Sequence, residues 1–152
     1  MFLAIPDWTK HGVLPTGHHE CFLDEIETRF AFNAHRIKLW TSFLRFISWL
    51  QSQPNPQTLL IDGGFTSDKT TPSDIDLVLD LSNCAQDVAN HWISTWATQQ
   101  AAIKTQYLVD LWVYCPGFPN DLRSFFEYVR PEESLLRGMG PNERKGLLKV
   151  NL

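Results

Sequence analysis

Residues 59–81 read LLIDGGFTSDKTTPSDIDLVLDL, a pattern typical of two strands whose connection is too long for a tight hairpin turn. Asp74 and Asp76 stand two residues apart where the second strand opens, so both carboxylates point to the same face of that strand. Packing gains nothing from two carboxylates side by side. The pair therefore indicates that something positive lies between them.

Apolar periodicity predicts helices and strands on both sides of this stretch. The predicted strands are TLLID at 58–62, IDLVLDL at 75–81, QYLVDLWVY at 106–114 and GLLKVNL at 146–152. The predicted helices run over His19–Ala31, over Ala34–Gln51 with Asn33 as its cap, from about Asn83, and over LRSFFEYV at 122–129. Together they predict an α/β or α+β fold, with a small mixed sheet flanked by helices and an N-terminal helical segment.

The segment GHHE places His18, His19 and Glu20 next to one another. Adjacent side chains converge poorly on a single ion, and no third histidine is placed to complete a zinc site. The sequence therefore favours a role at the start of the first helix.

Length and charge limit the class of protein. The chain has 152 residues, the size of one domain, which we divide into a helical N-terminal part (1–53), a catalytic sheet (57–115) and a C-terminal helix and strand (116–152). A net charge of −4 without a long basic run argues against duplex DNA as a partner, although a local basic patch in the tail would consist of Arg123, Arg130, Arg137, Arg144 and Lys145. No run approaches the ~20 apolar residues of a membrane span. We expect a cytoplasmic protein, and the many aromatic residues leave room for a homodimer interface.

A third carboxylate joins the pair. Asp110 lies inside the apolar run YLVDLWVY, where an isolated buried carboxylate is very costly. If neighbouring strands bring Asp110 beside Asp74 and Asp76, each like-charge pair costs about 4 kcal/mol at ~4 Å and an effective dielectric near 20. One or two divalent cations remove that cost, and carboxylate oxygens suit Mg²⁺ or Mn²⁺.

The segment between the two strands supplies groups that suit a polyphosphate. Gly63 and Gly64 let the backbone approach a ligand closely. Thr66 and Ser67 add hydroxyl donors, and Lys69 adds a mobile ammonium. A metal-bound triphosphate thus fits between the glycines and the aspartates, with Asp110 placed to help deprotonate an attacking hydroxyl.

These residues carry a resemblance to a known superfamily. Gly63-Gly64, nine further residues and then Asp74-Ile75-Asp76-Leu77 resemble the signature of the DNA polymerase β-like nucleotidyltransferases, whose third acidic residue lies on a later strand, as Asp110 does. The resemblance implies a mixed-sheet nucleotidyltransferase fold, Mg²⁺ and an NTP such as ATP as substrate. It also implies transfer of a nucleoside monophosphate to a hydroxyl, with pyrophosphate leaving.

The segments LPTGHHE, RFAFNAHR, GGFTSDKTTPSDID and KGLLKV further resemble a small bacterial and phage group of that superfamily. A chain of this length is similar to the minimal nucleotidyltransferases of toxin–antitoxin and phage-defence systems, in which the acceptor is a protein hydroxyl or an RNA 3′ end and the partner is a cognate toxin or antitoxin. The sequence departs from the general pattern at Asp62, where an apolar residue is usual. Asp62 either joins the metal site or weakens nucleotide binding.

Other interpretations stay open from the sequence. Asp74 and Asp76 fit a solvated edge strand, and Asp110 fits a buried aspartate paired with an arginine. The pair His35-Arg36 either reaches the site or lies on the surface. At the level of function, the alternatives are a nucleotide-binding or interaction module without turnover, and an antibiotic-type nucleotidyltransferase acting on a small-molecule hydroxyl.

Overall fold

A computed structural model describes residues 5–119 and 121–152. The elements in chain order are β1 (His18–Glu20), α1 (Leu23–Phe30), α2 (Ala34–Gln51), β2 (Thr58–Asp62), β3 (Ile75–Asp80), α3 (Gln86–Tyr107), β4 (Val109–Tyr114), α4 (Leu122–Glu127), α5 (Pro131–Arg137) and β5 (Leu147–Asn151). The fold is mixed α/β, with a five-stranded sheet and five helices among the described residues.

The strands of the sheet follow the order β1-β5-β2-β3-β4. The central strand β2 is antiparallel to both of its neighbours, β5 and β3, whereas the outer pairs β1–β5 and β3–β4 are parallel. β3 is therefore an interior strand. The interpretation of Asp74 and Asp76 as part of a solvated edge strand is wrong, because β3 pairs with β4 on the side away from β2.

The two faces of the sheet differ in what covers them. On one face, Ile75, Leu77 and Leu79 of β3 are fully buried in the main core together with side chains of α2 and α3. On the other face, the buried apolar side chains of the described part of β2, β3 and β5 form only a small cluster with Phe126 of α4. This cluster consists of Leu60, Val78, Phe126 and Leu147. The rest of that second face borders a cleft.

Helix α2 confirms the prediction over Ala34–Gln51. The side chain of Asn33 accepts a hydrogen bond from the Arg36 backbone N–H at 2.8 Å, as expected of a cap. Strand β2 also has its predicted bounds. β3 ends one residue earlier than predicted, and β5 is one residue shorter than predicted at each end.

Several predicted boundaries are wrong, among them the end of the helix predicted over 122–129, which ends at Glu127. His18–Glu20 form β1, which pairs in parallel with residues 147–149, so the first helix begins only at Leu23. The third helix begins at Gln86 and continues to Tyr107, so Gln106 and Tyr107 are helical and β4 begins at Val109. Leu108 ends this helix in a left-handed conformation (φ +58°), which turns the chain into β4 within a single residue.

The sheet also extends beyond the predicted limits of 57–115, because β1 and β5 come from the two flanking parts of the chain. Helix α5 was missed, although Pro131 at its first turn and Glu132 and Glu133 behind it are usual signals of a helix start. Over the described part of the chain, no helix has the length and apolar character that a membrane crossing requires.

Candidate functional site

Three aspartates meet where β3 and β4 run side by side. Asp76 and Asp110 are register partners in this parallel pair, and Asp74 precedes β3. Each of the three offers a carboxylate oxygen, and these oxygens lie within 4.8 Å of one another. All three side chains are half-buried, so the cluster is open to a ligand from the cleft.

The electrostatics of the cluster favour a cation. Burial, and then the charges of Asp74, Asp62 and Asp110, raise the pKa of Asp76 to about 7. A group with this pKa is only partly charged at neutral pH until a cation balances its neighbours. Oxygen ligands alone, with room for water beside them, fit Mg²⁺ or Mn²⁺ better than zinc.

Asp62 extends the acidic row to a third strand, because it is the register partner of Asp76 in the β2–β3 pair. Its side chain is almost fully buried, and this burial raises the pKa of its carboxyl. The ammonium of Lys145 lies 3.1 Å from Asp62 Oδ2. Asp62 therefore has a cation of its own, and it lies outside the set of carboxylates that could share one ion.

Gly63 and Gly64 form the turn that follows β2. Gly63 has a φ of +88°, and a Cβ at this position would come within 2.9 Å of Asp76 Cγ. A side chain here would thus strain the backbone and displace Asp76. The glycine requirement follows from the close approach of this turn to the aspartate cluster.

The loop after the glycines is held from behind by Arg36 of α2, whose side chain is fully buried. Its guanidinium donates hydrogen bonds to the carbonyl oxygens of Ser67 and Lys69 at 2.6 Å each, and to that of Gly64 at 3.2 Å. It also donates to the carbonyls of Phe65 at 2.6 Å and Phe30 at 3.0 Å. Burial lowers the pKa of Arg36 to about 10, which leaves it charged at neutral pH. Arg36 therefore draws the loop carbonyls away from the cleft.

The cleft in front of the cluster has a volume of about 510 Å³, which is within the ~300–1,000 Å³ usual for small-molecule sites. Beside the four aspartates and Glu133, which pairs with Arg137, five positive side chains line the cleft: Lys69, Lys104, Arg130, Arg137 and Lys145. Lys104 of α3 lies 3.4 Å from Asp74 Oδ2, and the charge of Asp110 is the largest cause that raises the pKa of this lysine. A cleft with this mixture of charges suits an anionic ligand that arrives with a cation.

A family model described as "Family of unknown function (DUF6932)" matches residues 6–151. The chain belongs to this family. Neither the curated proteins nor the solved structures contain a match to it.

The structure brings every predicted site residue of the DUF6932 chain to one place. Asp74, Asp76, Asp110, Gly63, Gly64, Thr66, Ser67 and Lys69 all line the same cleft. The Thr66 hydroxyl, however, donates to the Gly63 carbonyl at 3.2 Å, and the Ser67 hydroxyl donates to the Gly64 carbonyl at 2.8 Å. These two side chains stabilise the glycine turn itself. Of the three side chains predicted to bind phosphate in this loop, Thr66 and Ser67 are buried and Lys69 is exposed.

Sequence reasoning missed several residues of the site. Lys104 carries no local signal, since it lies 30 positions after Asp74 on a helix. The sequence leaves Arg36 either at the site or on the surface, and its full burial shows that the surface interpretation is wrong. The sequence indicates Lys145 only as part of a basic tail. Phe125, which also lines the cleft, was taken only as part of a short helix. A buried charge such as Arg36 becomes recognisable only when the carbonyls around it are known.

Proposed function

We propose that this protein is a metal-dependent nucleotidyltransferase of the DNA polymerase β-like type. It would move a nucleoside monophosphate from an NTP, ATP in the first instance, to a hydroxyl of a protein or RNA acceptor. The observation that carries the proposal is the gathering of Asp74, Asp76 and Asp110 within 4.8 Å, beside a glycine turn that approaches Asp76 closely. The three carboxylates are also the set that the sequence signature selects.

The three aspartates fit Mg²⁺ or Mn²⁺, since like charges at this separation need a counter-charge and the donors are all oxygen. When bound there, such an ion would neutralise phosphate charge and polarise the reacting phosphorus. The chain itself supplies the remaining tasks. Lys69 and Lys104 offer ammonium groups to the phosphates, while the glycine turn lets the backbone approach them.

The chemistry balances without any further reactant. The oxygen of the acceptor hydroxyl forms a bond to the α-phosphorus, the bond from this phosphorus to the oxygen leading to the β-phosphate breaks, and pyrophosphate leaves. The proton of the hydroxyl passes to Asp110, which stands beside Asp76 at the edge strand of the sheet. Pyrophosphate departs with the negative charge developed on its oxygen, and the cations of the cleft stabilise that charge.

The setting we propose is a toxin–antitoxin or phage-defence system in the cytoplasm, with the cognate toxin or antitoxin among the possible acceptors. The Asp62–Lys145 pair removes one reason to expect weak nucleotide binding, since the ammonium of Lys145 balances the negative charge of Asp62. A small-molecule acceptor uses the same machinery and is distinguished by the experiment that follows.

The test supplies each of the four NTPs, labelled at the α-phosphate, to the purified protein in host lysate with Mg²⁺ or Mn²⁺. The variant is the double substitution Asp74→Ala, Asp76→Ala, and its matched control is Asp24→Ala, Asp87→Ala, which removes two exposed aspartates from helix starts outside the cleft. We expect label on a macromolecule with native and control protein, and none with the cleft variant. Sensitivity of the product to protease or RNase then identifies the acceptor class.

Equal labelling by the cleft variant would refute the catalytic assignment. Label confined to small molecules would move the acceptor to the antibiotic type. NTP binding with no pyrophosphate release, under either metal and with the lysate present, would establish the non-catalytic module instead.

A further inference from the structure

The cleft does not end at the aspartates, because aromatic side chains of the C-terminal part line it as well. Phe125 of α4 and Tyr128, just after this helix, both border the cleft, and their exposed fractions are 60% and 39%. Burying one such side chain stabilises a protein by about 1.5–3 kcal/mol, so an exposed phenylalanine in a concave site forgoes a stabilising contact. A ligand that covers the ring would restore that contact.

The Phe125 ring is held in place by other rings. It packs edge to face on Phe126 with 5.4 Å between the ring centroids, and Phe126 packs in the same manner on Trp112 at 6.2 Å. Trp112 lies on β4 two residues beyond Asp110, on the same face of the sheet. A continuous series of aromatic contacts thus connects the strand of Asp110 to the exposed ring.

The other large apolar side chains exposed on the neighbouring helix differ from Phe125 in chemistry and place. Leu135 and Leu136 of α5 are 82% and 83% exposed, are aliphatic and lie outside the cleft. Within the part of the chain from Leu122 to Arg137, the exposed residues that face the cleft with an apolar surface are thus aromatic. Flat rings in a cleft are suited to stacking on another flat ring.

We propose that Phe125 and Tyr128 form the nucleobase subsite of the cleft, in which the base of the NTP stacks on Phe125 while its phosphates lie toward Gly63, Gly64 and Asp76. This inference rests on the proposed function and names where the rest of the substrate binds. A volume of about 510 Å³ fits one small ligand that reaches both ends, whereas a macromolecular acceptor would approach from outside. The donor base is therefore the occupant we assign to the rings.

Stacking has a consequence for specificity. Every base has a flat π-face, and contact with an aromatic ring holds all four without hydrogen-bond readout. We expect affinity to follow ring area, with ATP and GTP bound more tightly than CTP and UTP by a small factor.

The experiment measures binding by calorimetry, with Ca²⁺ as the metal, for ATP, CTP and inorganic tripolyphosphate. The last probe has the phosphates and no base. The native protein should bind ATP at least about 10-fold more tightly than tripolyphosphate. Phe125→Ala should weaken ATP binding about 10- to 100-fold and leave tripolyphosphate binding unchanged, whereas Phe125→Tyr should retain most of the affinity for ATP.

The control is Leu135→Ala, which removes an exposed apolar side chain outside the cleft and should change neither affinity. Equal binding of ATP and tripolyphosphate by the native protein, or equal loss of both in Phe125→Ala, would overturn the subsite and leave the proposed function standing. Unchanged ATP affinity with slower transfer in Phe125→Ala would overturn it also, and would assign the ring to the acceptor. A native protein that binds neither probe would overturn both proposals.

Discussion

The two faces of the sheet are built from the same strands and have opposite tasks. Along β3, Ile75, Leu77 and Leu79 are fully buried against α2 and α3, while Asp76, between the first two, is half-buried above the cleft. The covered face stabilises the fold by burying apolar surface. The cleft face instead gathers Asp62, Asp76 and Asp110 in one row across three strands, which burial and mutual repulsion make unfavourable.

The cleft face is therefore the part of the sheet that lowers the free energy of unfolding. One covered face is enough for a sheet to fold. The second face of this sheet holds carboxylates whose charged form is unfavourable until a positive charge lies beside them. For Asp62, this positive charge is the ammonium of Lys145. Among the described residues, the ion pair that the Asp74, Asp76 and Asp110 cluster forms is the one between Asp74 and the exposed Lys104. An incoming cation would therefore stabilise this part of the face.

The largest expected effects come from substitutions of two adjacent residues of β3 whose side chains lie on opposite faces of the sheet. Asp76→Asn should lower transfer activity by about 10²–10³-fold, as expected for the loss of one charge that stabilises the reacting groups. The same change should raise the stability of the metal-free protein at pH 7–8 by roughly 2–4 kcal/mol, because it removes a carboxylate whose pKa is raised to about 7. Leu77→Ala should instead lower the free energy of unfolding by about 2–5 kcal/mol.

Urea unfolding of both variants in EDTA, with activity measured separately, checks these signs. A destabilised Asp76→Asn would mean that the two faces do not differ as described.

The second prediction concerns pH. The pKa of Asp76 rises from an ordinary 3.8 when unfolded to about 7 when folded, so folding takes up a proton between these values. Stability of the metal-free protein should therefore fall as pH rises from about 4 to about 7, by up to about 4 kcal/mol from this group, and Asp62 acts in the same direction. Added Mg²⁺ should reverse the fall. Thermal melts at several pH values check the trend, and Asp76→Asn should flatten it. A stability that rises over this range in the native protein would contradict the raised pKa.

The smallest expected effect comes from alanine substitutions at two glycines, which distinguish backbone strain from a steric clash with the site. Gly63 and Gly117 both have positive φ, +88° and +94°, but a Cβ at Gly117 would meet no other atom within 4 Å. Alanine at either position should cost about 1–2 kcal/mol of stability from the left-handed conformation. Only Gly63→Ala should also reduce activity and metal affinity, since its Cβ would collide with Asp76. Equal activity of the two variants in the transfer assay would show that the turn has no part in the site.

Much of the fold was predictable, because it depends on local patterns. The period-2 alternation of IDLVLD assigned β3 and its two faces, and Asn33 marked the start of α2 to the residue. The predicted ends of helices and strands are wrong where tertiary contacts override the local conformational preference of the sequence. His18–Glu20 are a strand because β5, more than 120 residues away, offers a parallel edge to pair with, and nothing within GHHE indicates that partner.

The candidate site divides in the same way. The sequence pattern is enough to indicate that Asp74 and Asp76 share a face, because side chains alternate along a strand, and that the Gly63-Gly64 pair allows a close backbone approach. Three features of the site follow from tertiary contacts: Lys145 pairs with Asp62, Arg36 holds the loop from behind, and Phe125 lines the cleft. The first two contacts join residues 83 and 31 positions apart, and Phe125 comes from a helix that follows the aspartate strands. Their geometry depends on strand register and helix packing, which no local pattern encodes.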